Sequence, residues 1–305
     1  MSAEIILHHY DTSPFSEKAR LLLGVHRLAW RSVIQPTIMP KPNLVPLTGG
    51  YRRAPVMQVG ADVYCDSQVI MAEIVRRAGA DSANDGLGWA VNLWADRVFF
   101  QAAVAVIFGE IGGNVPQAFI EDREKLMGRP FDVVAMKAAA APMAAQWRAQ
   151  AGWIETSLSA GSPFLLGDTP GIADVAAYMN IWFATTFTPQ LAAPLLSGFH
   201  QLEAWRERIR AIGHGQRSEM TTAEALAVAR AAEPVDAAAH DPSDPLGLAT
   251  GAAVTVAADD YGRDPIAGTL VAANRERVVI ARHDQDLGRL HVHFPRAGYI
   301  VTAAR

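Results

Sequence analysis

Two stretches of this chain place polar side chains where a helix begins. Residues 13–20 (SPFSEKAR) open with Ser13, which suits the capping of free helix amides, and Pro14, which has no amide to lose at the first helical position. Asp66-Ser67 opens a second helix after the run 62–65 (DVYC). Unbonded N–H groups and the positive end of the dipole gather at a helix start, so each stretch offers hydrogen bonds to an anion. The loop between them carries Lys41, Tyr51, Arg52 and Arg53 ahead of Pro55; such basic side chains ordinarily stand in solvent. Other chemically capable residues read as structure. His8 and His9 are adjacent on a strand, face opposite ways and read as packed core histidines. His291 and His293 share a strand face, but a metal needs a further ligand and none is obvious, so no metal is expected. Cys65 is the only cysteine, which excludes an intramolecular disulfide framework and fits a reducing compartment.

The chain has 305 residues, enough for two or three domains at ~100–200 residues each. Half of them are hydrophobic and 19% are charged, which excludes a wholly disordered chain. A net charge of −4 is not that of a nucleic-acid binder. The start of the chain shows no secretory apolar run, and the longest apolar stretch, 98–109, is broken by Gln101 and too short to span a bilayer. No membrane association and a cytoplasmic location are expected.

Residues 4–10 read as a strand, 13–28 as an amphipathic helix and 30–35 as a second strand. A Pro-rich loop leads to a hairpin over 55–59 and 62–65, then to a helix through Ala78 ending in Arg76, Arg77 and Gly79. After a small, acidic stretch at 80–86 the signals turn helical, with long helices predicted over 87–111 and 132–159 and others over 172–186, 199–212 and 221–232. Pro142 is expected to kink the second long helix or mark its start. A second linker-like stretch, 233–246, precedes a change to period two, with five short strands at 253–257, 266–273, 277–282, 290–294 and 299–303. Three domains follow: α/β over 1–80, all-α over 87–233, and over 247–305 a small all-β unit sized to close as an SH3-like barrel.

This order, with the segments Ser13 to Arg20, Arg53-Ala54-Pro55-Val56, Cys65-Asp66-Ser67 and Gly167 to Asp174 (GDTPGIAD), resembles the glutathione transferase superfamily over roughly residues 4–215. The resemblance implies a thioredoxin-like first domain that binds glutathione, a helical second domain, and attack of the glutathione thiolate on a small apolar electrophile. Ser13 would be the catalytic residue, donating to the thiolate; Ser16 and Tyr10 are the alternative hydroxyls. Glutathione would be bound by Phe15, Lys41, Ala54, Pro55, Asp66 and Ser67. Pro55 matches the family's cis-proline, whose neighbour Ala54 would present its backbone to the peptide. Asp66 would meet the substrate ammonium, and Ser67, as N-cap, its γ-glutamyl carboxylate. Lys41, Tyr51, Arg52 and Arg53 compete for the glycyl carboxylate, Lys41 foremost. A serine at position 13 cannot form a mixed disulfide, which disfavours thiol–disulfide exchange, and Cys65 is a poor substitute if it lies on an inner strand.

Gly171 departs from the pattern, since a Ser or Thr three residues before Asp174 would complete a capping box; Asp174 reads as structural. Aromatic residues between Trp94 and Phe108 read as core, with some available for an apolar second-substrate pocket between the domains. A homodimer through the third and fourth helices is implied. The resemblance leaves the β tail unused. It would pack over the mouth of the site, cement a dimer or recruit another protein, and its few aromatics, Tyr261, Phe294 and Tyr299, favour the first two. A non-catalytic ligand-binding or interaction protein is therefore the alternative function.

Overall fold

The computed structural model describes residues 4–80, 86–235 and 238–304. The first of these segments holds β1 (Ile6–His9), α1 (Pro14–Val25), β2 (Ala29–Ile34), a one-turn α2 (Val45–Thr48), the hairpin β3 (Val56–Val59) and β4 (Asp62–Cys65), and α3 (Ser67–Arg77). α1 ends before the expected residue 28, because Arg27 at φ +53 turns the chain back into β2. β1 pairs parallel with β2 and antiparallel with β3, and β3 pairs antiparallel with β4. The thioredoxin-like order expected for this region is present.

The helical region runs from α4 (Gly86–Trp94) through a π-helical turn (Ala95–Phe99) into α5 (Phe100–Ile111), then α6 (Gln117–Met127), α7 (Val133–Leu158), α8 (Ile172–Phe187), α9 (Pro189–Leu196), α10 (His200–Ile212) and α11 (Thr222–Arg230). The continuous helix Gly86–Asn114 has the length and apolar composition to cross a bilayer, which the 98–109 stretch alone did not suggest. Here it packs on α7 and α8 and buries Phe99, Ala102, Ala103, Val106 and Ile107 in the core. α7 runs unbroken through Pro142 and starts instead at Asp132, whose carboxylate accepts from the Ala135 amide at 2.9 Å. Two helices of this region escaped the sequence reading, as the one-turn α2 did in the first: α6 is largely polar, and α9 begins at Pro189 and contains Pro194. β5 (Gln216–Glu219) escaped it too, being a wholly exposed polar edge strand that pairs parallel with β2. The linker expected over 80–86 lies mostly outside the described residues, as do residues 236 and 237 of the second linker.

The tail forms β6 (Ala253–Ala258), β7 (Ile266–Ala273), β8 (Arg277–Asp284), β9 (Gly288–Pro295) and β10 (Tyr299–Ala303), close to the five predicted strands. These strands do not stand apart. β9 pairs in parallel with β4, so the whole forms one ten-stranded sheet in the order β10-β6-β7-β8-β9-β4-β3-β1-β2-β5. Alternation along the hairpin explains how both neighbours are served. Met57, Val59 and Tyr64 enter the core shared with the helical region, whereas Val56, Val63 and Cys65 enter a second core with Val278, Ile280, Leu290, Val292 and Phe294 of the tail.

Buried polar residues on the first strands are paired, as their cost when unpaired demands. His8 donates to Gln58 Oε1 at 2.9 Å and accepts from Gln35 at 3.2 Å; His9 bonds Ser32 Oγ at 3.0 Å and accepts from Arg20 at 3.0 Å. Burial lowers the His8 pKa to about 4, and burial with the Arg20 charge lowers that of His9 to about 3. Both are neutral core residues, as expected. At the tail junction Asp62 bonds His293 at 2.9 Å, and no cluster of metal-ligating residues occurs among the described residues.

Candidate functional site

One cleft gathers most of the residues singled out in the sequence. Phe15 from α1, Ala54 and Pro55 before β3, and Asp66 and Ser67 at the start of α3 line it together, and the Ala54-Pro55 peptide bond is cis. Arg53 and Tyr51 from the loop join them. Ser13 and Lys41 are not among the lining residues. Ser13 is buried at the start of α1, where its Oγ accepts from the Ser16 amide at 3.1 Å. Lys41 is buried as well; its ammonium donates to the Arg52 carbonyl at 2.9 Å, and burial brings its pKa down to about 8. The Ser16 hydroxyl is buried with no hydrogen-bond partner among the described residues.

At α3 the cap differs from the expected one. Asp66, not Ser67, is the N-cap: its Oδ1 accepts from the Gln68 amide at 2.9 Å, and its backbone sits at φ +92. Ser67 therefore occupies the first helical turn, with the unbonded end of the helix beside it. The strained backbone of a non-glycine residue turns the Asp66 side chain back over its own helix start. Its second oxygen, Oδ2, accepts from the Tyr299 hydroxyl at 3.0 Å.

Three carboxylates line the cleft, and two of them are already neutralised. Asp96 holds the buried Lys18 ammonium at 2.6 Å, and burial raises its pKa despite that partner. Asp260 holds Arg53 at 2.6 Å. Asp66 has no cationic partner among the described residues; its oxygens accept from the Gln68 amide and the Tyr299 hydroxyl. Burial pushes the Tyr261 phenol up to about 12 and those of Tyr51 and Tyr299 well above their usual 10, leaving all three protonated at neutral pH. Cys65 lies on the inner strand β4, fully buried, and burial raises its thiol pKa; it is no redox nucleophile.

Sequence reasoning missed Asp96, Arg97, Asp260, Ala297 and Gly298 as part of this cleft. The expectation that the tail would pack over the mouth of the site, with its short list of aromatics, hinted at it: Tyr261 and Tyr299 line the cleft, and Phe294 packs behind them against Tyr51 and Tyr299. From residues 94–108 the cleft draws Asp96 and Arg97 rather than aromatics; Phe100 and Phe108 instead pack against Phe183. The cleft is narrow, about 50 Å³, whereas a larger groove of about 390 Å³ lies among α1, α8 and α10. That groove holds none of the expected site residues, and its Glu17 is taken by His214 at 3.0 Å and Arg20 at 2.6 Å. Chemistry, not size, selects the cleft. Asp174 is structural: its carboxylate accepts from the Leu165 and Gly171 amides at 2.9 and 3.0 Å and from Trp205 at 2.8 Å. Gly171 has no side chain to return the bond, so the box stays half made.

Comparison with known proteins agrees with this geometry. Residues 7–82 match the glutathione S-transferase N-terminal domain and residues 137–208 the glutathione S-transferase C-terminal domain. A GST-like protein from Pseudomonas syringae is 34% identical, with a TM-score of 0.82, and the match covers 99% of this chain and all of that one. FzlA from C. crescentus is 23% identical, with a TM-score of 0.52 over 68% of this chain and 88% of its own. Glutathione transferase F1 from poplar is 12% identical, with a TM-score of 0.53 over 68% of this chain and 92% of its own. The latter two show the fold alone. No curated protein sequence matches this chain.

Proposed function

The chain belongs to the glutathione S-transferase superfamily, and from that premise we propose that it binds reduced glutathione in the cleft between Ala54-Pro55 and Asp66-Ser67 and activates its thiol for attack on a small apolar electrophile. One observation carries the reading: Asp66, the cleft carboxylate without a cationic partner, stands beside Ser67 at a helix start. An α-amino acid head has the matching charges. Its ammonium would pair with Asp66, and its carboxylate would meet the Ser67 hydroxyl and the free end of α3. The peptide would lie along Ala54 and Pro55 by strand addition. Ser13 would donate to the thiolate, since its Oγ accepts from Ser16 and keeps a proton to give. A donor and a helix end together depress a thiol by about 2 units from ~8.5. The thiol gives its proton to solvent, and the thiolate forms the new carbon–sulfur bond as the electrophile's leaving group departs with the bonding pair or, in an addition, as a π bond opens and is protonated.

Homodimerisation and a cytoplasmic location are part of the proposal. Leu87 and Val98 are exposed apolar residues on the helix containing α4, where the family contact was expected. A binding protein without turnover is the second reading, favoured by the burial of Ser13 away from the cleft lining.

Calorimetric titration with reduced glutathione near pH 7 tests the first step. Binding tighter than ~1 mM, or about −4 kcal/mol, that weakens roughly tenfold in Ser67→Ala is expected. No heat with either protein would overturn it. Thiolate absorbance against pH then separates the two readings: a lowered thiol pKa that rises in Ser13→Ala supports activation, and an unshifted one supports binding alone.

A further inference from the structure

A tripeptide needs far more room than this cleft offers, since small-molecule sites are commonly ~300–1,000 Å³ and this one is about 50 Å³. What narrows it is the tail. β9 is tied to β4 by backbone pairing, and two turns of the tail overhang the cleft: the β6–β7 turn with Asp259, Asp260 and Tyr261, and the β9–β10 turn with Ala297 and Gly298. The Asp259 amide donates to the Gly298 carbonyl at 3.0 Å, so the turns hold each other.

The β6–β7 turn is fastened to the cleft wall by two ion pairs, a cation–π contact and one backbone hydrogen bond. Asp260 pairs with Arg53 at 2.6 Å, and the same guanidinium lies 4.0 Å above the Tyr261 ring. Asp259 pairs with Arg97 at 2.5 Å across an exposed gap. The Gly262 amide donates to the Leu126 carbonyl at 2.7 Å. Gly262 (φ +57) and Gly298 (φ +88) permit this approach: a Cβ would come within 3.1 Å of Arg53 at the first and within 3.1 Å of Arg97 at the second. Tyr299 completes the closure, with its hydroxyl on Asp66 where a ligand ammonium would go.

We propose that the C-terminal strands are a latch on the glutathione site: Tyr299 on Asp66 and Asp260 on Arg53 hold it shut, and glutathione enters when the β6–β7 turn releases Arg53 and Arg97 and the ligand ammonium replaces the Tyr299 hydroxyl. This rests on reading Asp66-Ser67 as the γ-glutamyl site. The tail is then a regulator of access, and anything that competes for Arg53 or Arg97, salt included, favours the open form.

The test compares the full-length protein with Asp260→Asn, Tyr299→Phe and their double variant, titrated with reduced glutathione, alongside amide hydrogen exchange of residues 259–264 without ligand. The double variant is expected to bind at least about tenfold more tightly, to lose that binding when Ser67→Ala is added, and to exchange faster across 259–264. Equal or weaker binding in the double variant, with wild type binding through Ser67, makes the tail a fixed wall and overturns the latch. Unchanged exchange overturns it as well. Faster exchange with no glutathione binding by any of the proteins overturns the glutathione reading and keeps the latch.

Discussion

The starts of α1 and α3 obey one local rule and end in different circumstances. In each, an N-cap oxygen accepts an amide a few residues on: Ser13 from Ser16 at 3.1 Å, Asp66 from Gln68 at 2.9 Å. Ser13 does so with ordinary extended backbone and is buried. Asp66 does so at φ +92, leaving one carboxylate oxygen facing the tail. Capping is decided within a few residues; access is decided by what packs over the cap. A helix start can meet a ligand only where the tertiary structure sets the cap against a cleft, as it does at Asp66 and not at Ser13.

Removing residues 247–305 should break the comparison most severely. The cut bares the β4 edge and uncovers Val56, Val63, Cys65, Leu44 and Leu47, whose burial is worth on the order of 10 kcal/mol, about the whole stability of a domain. Loss of soluble, cooperatively melting protein is the expected result, read by size exclusion and thermal unfolding. A stable truncated protein would mean that the tail is an appendage.

Asp66→Asn sharpens the contrast without disturbing the cap, because Asn keeps the acceptor and tolerates a positive φ. Glutathione should bind ten- to a hundredfold more weakly, the ~1.5–3 kcal/mol of a hydrogen bond to a charged group, with thermal stability nearly unchanged. Undiminished binding would show that the ammonium does not sit there.

At the α1 end, acid is the sharper tool. His9 titrates near 6.5 unfolded but at about 3 folded, held there by burial and Arg20, so its contribution is complete above pH 6.5 and is lost as the pH falls. The stability advantage of wild type over His9→Asn should therefore narrow by roughly 2 kcal/mol between pH 7 and pH 5, measured by denaturant titration. A constant difference would mean that His9 is charged in the fold.

Ser13→Ala is the smallest of these effects. Loss of the cap should cost about 1 kcal/mol, a fall of roughly 2–4 °C in melting temperature, with the bound thiol's pKa raised and glutathione binding near pH 7 weakened by no more than about fivefold. An unchanged thiol pKa would show that Ser13 does not donate to the thiolate.

Much of the fold was legible. The period of two in 253–303 and the apolar stripes of the long helices marked their elements within a few residues, and Pro55, Asp66 and Ser67 were legible as a group because their order along the chain is itself distinctive. β5 was not, since an exposed polar edge strand such as QRSE carries no apolar pattern. Nor were α6 and α9, one too polar and the other too rich in proline. The cap at Asp66 was misassigned to its neighbour because both residues are good caps, and only the observed φ of +92 tells which one stands outside the helix.

By itself the sequence determined where most of the elements lie, that the starts of α1 and α3 carry capping residues, and that Cys65 stands alone; these depend on side-chain types a few residues apart. Only the tertiary structure decided that β9 would pair with β4 and bring Tyr299 to Asp66 and Asp260 to Arg53. Strand pairing across more than 200 residues runs through backbone N–H and C=O groups that every sequence shares, so no local pattern announces the partner. The contents of the cleft follow from that one pairing.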